Sequence, residues 1–292
     1  AQTTENQHSR HEYIYYTQNY DADSNLQYVL NSDGLYETDS LVSVLGYKFD
    51  QQKTTTSLFL NKKLNNKHSI KVGSNADLMF FTFRDSLYGI NTTFNWLKRW
   101  DAKDNALLLQ PYIQWKWRIS EKLTLNAGLH NQFFTLNNTY SLLEPRAGLK
   151  WDINSKQNLS LGFGVHSQTQ APYIYFYQIK NGNGDFVQHN RNVGMSKNTH
   201  YILAYNRTIG NNLRIKTETY YQQLSNIPVE IYSSSFSLVN QGVGFSRFFP
   251  DSLKNTGTGE NYGAELTIEK FFSRKFFFML TTSYYESFYK GS

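Results

Sequence analysis

The chain has 292 residues and a formal net charge of +6, and 22 Tyr, 21 Phe and 5 Trp make it 16% aromatic although its mean hydropathy is only −0.57. No apolar run approaches the roughly 18 residues a membrane-spanning helix needs, the densest being Phe276 to Leu280, so a helical membrane protein is excluded. Lys and Arg are scattered in ones and twos, which argues against nucleic acid as a partner, and the absence of Cys excludes disulfide and cysteine–metal frameworks.

No basic segment followed by an apolar one opens the chain, so any export signal is expected upstream of Ala1. Residues 1–53 read as a loop region; His8 and His11 within it form only a weak metal pair. From residue 54 onward, period-two alternation dominates, and period two means β-structure. A first hairpin turns at Asn65-Asn66, with strands near 54–64 and 68–84. In the next, Leu107, Leu109, Ile113, Trp115, Trp117 and Ile119 alternate with polar Gln110, Gln114, Lys116 and Arg118. Across Ser120-Glu121-Lys122 the pattern resumes, with Leu123, Leu125, Ala127, Leu129 and Phe133 set against Asn126, His130 and Gln132. The third hairpin opposes Ala147, Leu149, Trp151 and Ile153 to Leu159, Leu161, Phe163 and Val165; its wet face holds Arg146, Lys150, His166 and Gln168. A fourth turns at Gly210-Asn211-Asn212. A fifth turns at Ser273-Arg274-Lys275, between the Tyr262, Ala264, Leu266, Ile268 face and the Phe276, Phe278, Leu280, Tyr284, Phe288 face.

These ten predicted strands alternate short, basic turns with long loops rich in Tyr, Asn and Gly, near 85–105, 137–143, 171–197 and 225–259. Strands longer than the roughly 5–6 residues usual in globular sheets, aromatics near strand ends and one-sided turn lengths favour an outer-membrane barrel over a soluble sandwich. The apolar face then meets lipid at Leu109, Ile113, Trp115, Leu125, Leu129, Leu149, Leu161, Phe163, Leu266 and Phe278. The lumen receives Gln114, Lys116, Asn126, His130, Lys150 and His166.

Among candidate site residues, lumenal His130 and His166 and loop residues His189 and His200 show no metal-ligand spacing, so a hydrated interior is favoured and no metal or cofactor is expected. Glu144 and Arg146 share a strand face, which suits an ion pair, and Glu144 has no second acid beside it in sequence for general acid–base chemistry. His166-Ser167 would need a bulge to face one another, which speaks against a hydrolase. Gly257-Thr258-Gly259 precedes a strand and is a turn, not a phosphate loop. In the loop "QAPYIYFYQIKNGNGDFVQHNRN", Tyr173, Tyr175 and Tyr177 recur on one side ahead of His189 and Arg191, an arrangement suited to capturing a solute or to an interfacial collar.

The stretches "LLEPRAGLKWDI", "LSLGFGVHSQTQAPYIYF" and "NYGAELTIEKFFSRKFFFMLTTSYYESFYKG" resemble the barrel of TonB-dependent receptors of the Bacteroidetes group, over most of residues 54–292. The Glu144-Pro145-Arg146 start, the region from His166 to Gln168 and Asn261-Tyr262-Gly263 carry the likeness. The resemblance implies a 22-strand barrel in the outer membrane, an N-terminal plug inside it, energy delivered through TonB, and import of a scarce solute such as a metal chelate or glycan. The expected partners are therefore outer-membrane lipid, the plug, the missing strands, the TonB complex and the solute. On this reading residues 54–292 are a partial barrel without its plug. A passive pore, or less favourably a barrel enzyme, is the alternative. On the reading of the loop and of strand parity, Tyr173, Tyr175, Tyr177, His189, Arg191, His166 and Gln168 are the candidates for the ligand, and Glu144, Arg146 and His130 for lumen or plug contacts.

Overall fold

The short turns are built by side chains that satisfy the backbone locally. Asn65 Oδ1 accepts from the Lys67 and His68 amides at 2.8 and 2.9 Å, and Asn154 Oδ1 accepts from the Lys156 amide at 2.9 Å. At Arg274 and Lys275 both φ angles are positive, 51° and 69°, the geometry of a two-residue turn whose twist matches the flanking strands.

The computed structural model describes residues 2–16, 18–20, 26–30, 32–33, 35, 38–88, 96–241, 249 and 251–292. In chain order the elements are β1 (Gln2–Tyr16), β2 (Gln18–Tyr20), β3 (Leu26–Tyr28), β4 (Thr38–Lys63), β5 (His68–Tyr88), β6 (Trp96–Arg118), β7 (Leu123–Phe134), β8 (Thr139–Asn154) and β9 (Gln157–Gln168). There follow α1 (Pro172–Phe176), β10 (Ile179–Lys180), β11 (Phe186–Val187), β12 (Ser196–Ile209), β13 (Leu213–Glu230), β14 (Leu253–Ser273) and β15 (Phe276–Lys290). Eleven strands form one antiparallel sheet, ordered β1-β4-β5-β6-β7-β8-β9-β12-β13-β14-β15, and among the described residues no ladder joins β1 to β15. No helix among the described residues is long and apolar enough to cross a membrane, which says nothing of crossing by strands.

The loop region expected over 1–53 is corrected: Gln2–Tyr16 is a strand laddered onto β4, which itself begins at Thr38. His8 and His11 fall on β1, and their side chains lie outside the described residues. The long loops are also shorter than expected. β5 and β6 run 21 and 23 residues, about twice the roughly 9–11 that span a bilayer core, so much of 85–105 continues the ladder. In the same way β8 begins at Thr139 and β13 runs on to Glu230.

One register runs across the sheet. A row passing through Trp115, Ala127, Ala147, Phe163, Tyr201, Tyr221 and Tyr262 lies on one face. One residue away, Lys71, Gln114, Gly128, Arg146, Gly164, His200, Gln222, Asn261 and Ser287 form the opposite row. The predicted lipid and lumen sets therefore fall on opposite faces. The outward face leaves Leu58, Leu60, Ile113, Leu129, Leu161 and Leu280 exposed, as a surface solvated by lipid requires. At its turn end His68, Trp115 and Trp117 stack with centroids 5.4–5.8 Å apart, and Trp115 Nε1 donates to His68 Nδ1 at 3.2 Å. Such amphipathic rings suit the membrane–water boundary.

Candidate functional site

The inner face changes character along its length. On β5, Lys71, Gly73, Asn75 and Asp77 give way to Met79, Phe81 and Phe83, all of one parity. Phe81 and Phe83 are buried with Phe49, Trp100, Phe134 and Leu136, and the cover over them is the segment between β9 and β12, folded inward. Ile174, Tyr175 and Phe176 of α1 supply the contact; Phe176 lies 5.7 and 5.6 Å from the Phe81 and Phe83 rings, and Tyr175 lies 5.7 Å from Phe134. Pro172 starts the helical turn, where its missing N–H costs nothing. Trp100 Nε1 donates to the Tyr173 carbonyl at 2.7 Å, and the Gln178 amide donates to the Arg99 carbonyl at 3.0 Å.

The rest of the segment is tied down as firmly. Asn190 is fully buried, and its Oδ1 accepts from the Leu253 amide at 2.9 Å. Arg191 donates to Asp104 at 2.7 Å and lies 4.9 Å over the Phe176 ring. Asn137 Nδ2 donates to the Val193 carbonyl at 2.9 Å, and Gln170 Nε2 donates to the Gly194 carbonyl at 2.8 Å.

The three tyrosines therefore do not share one side, because a helical turn replaces the extended chain. Tyr175 is wholly buried, its hydroxyl accepts from the Gln170 amide at 2.9 Å, and burial pushes its phenol up to about 12. Burial first, and Asp251 after it, raise the Tyr177 phenol as well, and that ring packs 5.1 Å from Trp100. His189 is held away from them by Asp251 at 3.2 Å and Ser252 at 2.9 Å. His200 is not in a loop: it lies on β12, in register with Gly164.

Below the covered region sits a polar knot. Glu144, fully buried, meets His130 Nδ1 at 2.7 Å and Gln132 Nε2 at 3.0 Å, with Arg146 Nη2 at 3.4 Å. A bulge between His130 and Gln132, with Leu143 at φ 58°, brings these groups together. Gln132 Nε2 also reaches the Ser167 carbonyl at 2.6 Å, and Ser167 Oγ bonds Ser141 Oγ at 2.8 Å, so the serine is engaged away from His166.

Among the described residues, two of the cavities on the inner face bear on the predicted site residues. A mouth pocket of about 530 Å³ lies between β9, β12, the start of α1 and the turn at Leu238, and His166, Gln168 and Tyr173 line it together. Tyr175, Tyr177, His189 and Arg191 do not line it. Its further walls, Gln170, Ile174, Asn198, Leu224, Leu238 and Val239, are residues that sequence reasoning missed. A larger groove of about 920 Å³ runs toward the turns past Lys71, Lys116, His130, Arg146 and His200, and His166 borders both cavities. Among the described residues no group of three His, Cys, Asp or Glu is placed to hold a metal ion.

An open antiparallel meander with a lipid-compatible outer face, a polar inner face and a filled mouth defines the wall of an outer-membrane β-barrel. The sequence pattern of the family described as "TonB dependent receptor-like, beta-barrel" matches residues 2–292, and the chain belongs to that family. Its place is the outer membrane. Among solved structures it is similar to the outer membrane transporter YddB from Escherichia coli, at 13% identity and TM-score 0.60, over 89% of this chain and 36% of that one. It is also similar to the FrpB iron transporter from Neisseria meningitidis, at 12% identity and TM-score 0.58, over 84% and 36%. The RagAB peptide transporter matches at 10% identity and TM-score 0.58, over 85% and 31%. At these identities the likeness shows the fold, and the chain spans about a third of the length of each of these three structures. No curated protein sequence matches it.

Proposed function

We propose that the chain is part of the barrel of an energised receptor that captures a scarce solute at its outer mouth and imports it across the outer membrane. The observation that carries this reading is the inward-packed segment 169–195, which covers the loop end of the inner face and builds with β9 and β12 a pocket that shares His166 with the lumenal groove. Family membership supports the further parts of the proposal: a plug domain within the lumen, additional strands that pair the free edges of β1 and β15, and coupling to TonB. The solutes named for FrpB and RagAB, iron and peptide, show how widely cargo differs among similar folds, so the fold does not choose one.

The test is uptake from spent growth medium by cells with and without the full-length receptor, read by mass spectrometry with and without a protonophore. Depletion of a specific solute that needs both receptor and proton-motive force supports the proposal. Depletion indifferent to the protonophore would instead indicate a passive pore.

A further inference from the structure

We propose that the solute is an organic anion, an apolar body bearing a carboxylate or equivalent acidic group, whose body sits in the mouth pocket and whose charge reaches past His166 to Arg146 in the adjoining groove; this rests on the receptor reading above. The apolar body is specified by Tyr173, Ile174, Leu224 and Leu238, which wall the pocket on the side of the inward-packed segment and β13. The charge is specified by what the walls contain and lack. Among the described residues, neither the mouth pocket nor the adjoining groove has an Asp or Glu in its lining.

Elsewhere on the inner face cations are neutralised by neighbours: Lys53 by Asp77 at 3.0 Å, Arg99 by Asp85 at 2.6 Å, Arg214 by Glu269 at 3.0 Å. Along the groove two lysines are not. Lys116 has no acidic partner among the described residues, and Lys71 rests over the Phe59 ring at 4.3 Å without one. Arg146 is the pivot. Its side chain is 41% exposed, and among the described residues its single carboxylate contact is the 3.4 Å approach of Nη2 to Glu144, while its Nε is buried and takes no part in facing the groove. Glu144 lies fully buried behind Arg146 and is bonded more closely by His130 and Gln132, so it anchors one edge of the guanidinium while the exposed part of the Arg146 side chain faces the groove. A guanidinium with spare donors, in a concavity without carboxylates, is a receptor for a carboxylate or a similar anion. His166 stands between pocket and groove, where an anion entering from the mouth passes from one to the other. Unscreened cations in a concave wall also concentrate such a solute ahead of binding.

The acidic face of a plug would satisfy the same cations, and the experiment separates the two. Equilibrium dialysis measures binding of 2-naphthoate and of its uncharged isostere 2-naphthamide to the full-length receptor in nanodiscs of zwitterionic lipid. The acid is expected to bind about tenfold more tightly than the amide. Arg146→Gln and His166→Gln should each cost the acid roughly tenfold and leave the amide within about twofold, while Arg146→Lys keeps most of the preference. Retained heat-modifiable migration in electrophoresis confirms that each variant assembles. Equal affinities, no saturable binding of either probe, or an anion preference indifferent to both substitutions would overturn the proposal. So would binding of the acid that emerges only after the plug is deleted, which would give the cations to the plug. A receptor that imports its solute yet fails here keeps the proposed function and loses only the anionic cargo.

Discussion

The two halves of the inner face are built on the same strands and solve opposite problems. Toward the turns, β5 presents Lys71 and Asn75 to a hydrated groove; toward the mouth, the same parity presents Phe81 and Phe83 to a dry core. The difference teaches that parity assigns a side chain to the lumen but does not say what the lumen holds at that height. In the lower half the wall is lined by polar and charged side chains around an open groove. In the upper half the chain supplies its own filling, and α1 is buried as deeply as the centre of a soluble domain.

The sharpest way to break that contrast is to remove the filling. Tyr175→Ala should cost about 3–5 kcal/mol of local stability, the range for emptying a large aromatic site. Hydrogen exchange should then rise across 169–195 while the ladder between β7 and β8 stays protected; uniform loosening of both would contradict the separation. Cutting the knot where the halves meet comes next. Glu144→Ala strands His130 and Arg146 beside each other and should cost about 3 kcal/mol in a urea unfolding titration in micelles, whereas an effect under about 0.5 kcal/mol would show that the buried carboxylate is not held as described.

A third comparison uses neighbours on β6. Ile113→Arg places a charge in lipid and should cost about 2 kcal/mol or more, while Gln114→Arg, facing the groove, should cost little. Equal losses would argue against a lipid-facing sheet. The smallest effect is a titration. The Tyr175 phenol is raised above its unfolded value near 10, so burial favours the neutral form. Its contribution is complete below pH 10 and declines as pH rises from there through about 12. Ultraviolet difference spectra should show a set of phenols that ionise late, Tyr177 among them, and Tyr175→Phe should remove one phenol from that set.

The sheet was legible because lipid and water on opposite faces write alternation into each strand, and the turns carry Asn, Ser and Gly where backbone geometry requires them. β1 escaped notice for the same reason. In "QTTENQHSRHEYIYY" polar residues occupy both parities, so no apolar stripe marks the strand, and only its ladder to β4 reveals it. The mouth was harder to read. "PYIYF" mimics an alternating strand, and its five residues are too few to show a helical period; Pro172 was the one local sign of a helix start. The pocket itself joins His166, Tyr173, Asn198 and Leu238, which no spacing connects, because their meeting depends on where an inward-folded segment comes to rest.

The most direct test is a spin-label scan along β5 of the full-length receptor in lipid, comparing collision with oxygen, which concentrates in the bilayer, and with a water-soluble nickel chelate. Labels at Val72 and Leu78 should favour oxygen, labels at Lys71 and Asn75 should favour nickel, and labels at Phe81 and Phe83 should be reached by neither. Nickel access at Phe81 and Phe83 equal to that at Lys71 and Asn75, or no alternation between Lys71 and Val72, would contradict the account.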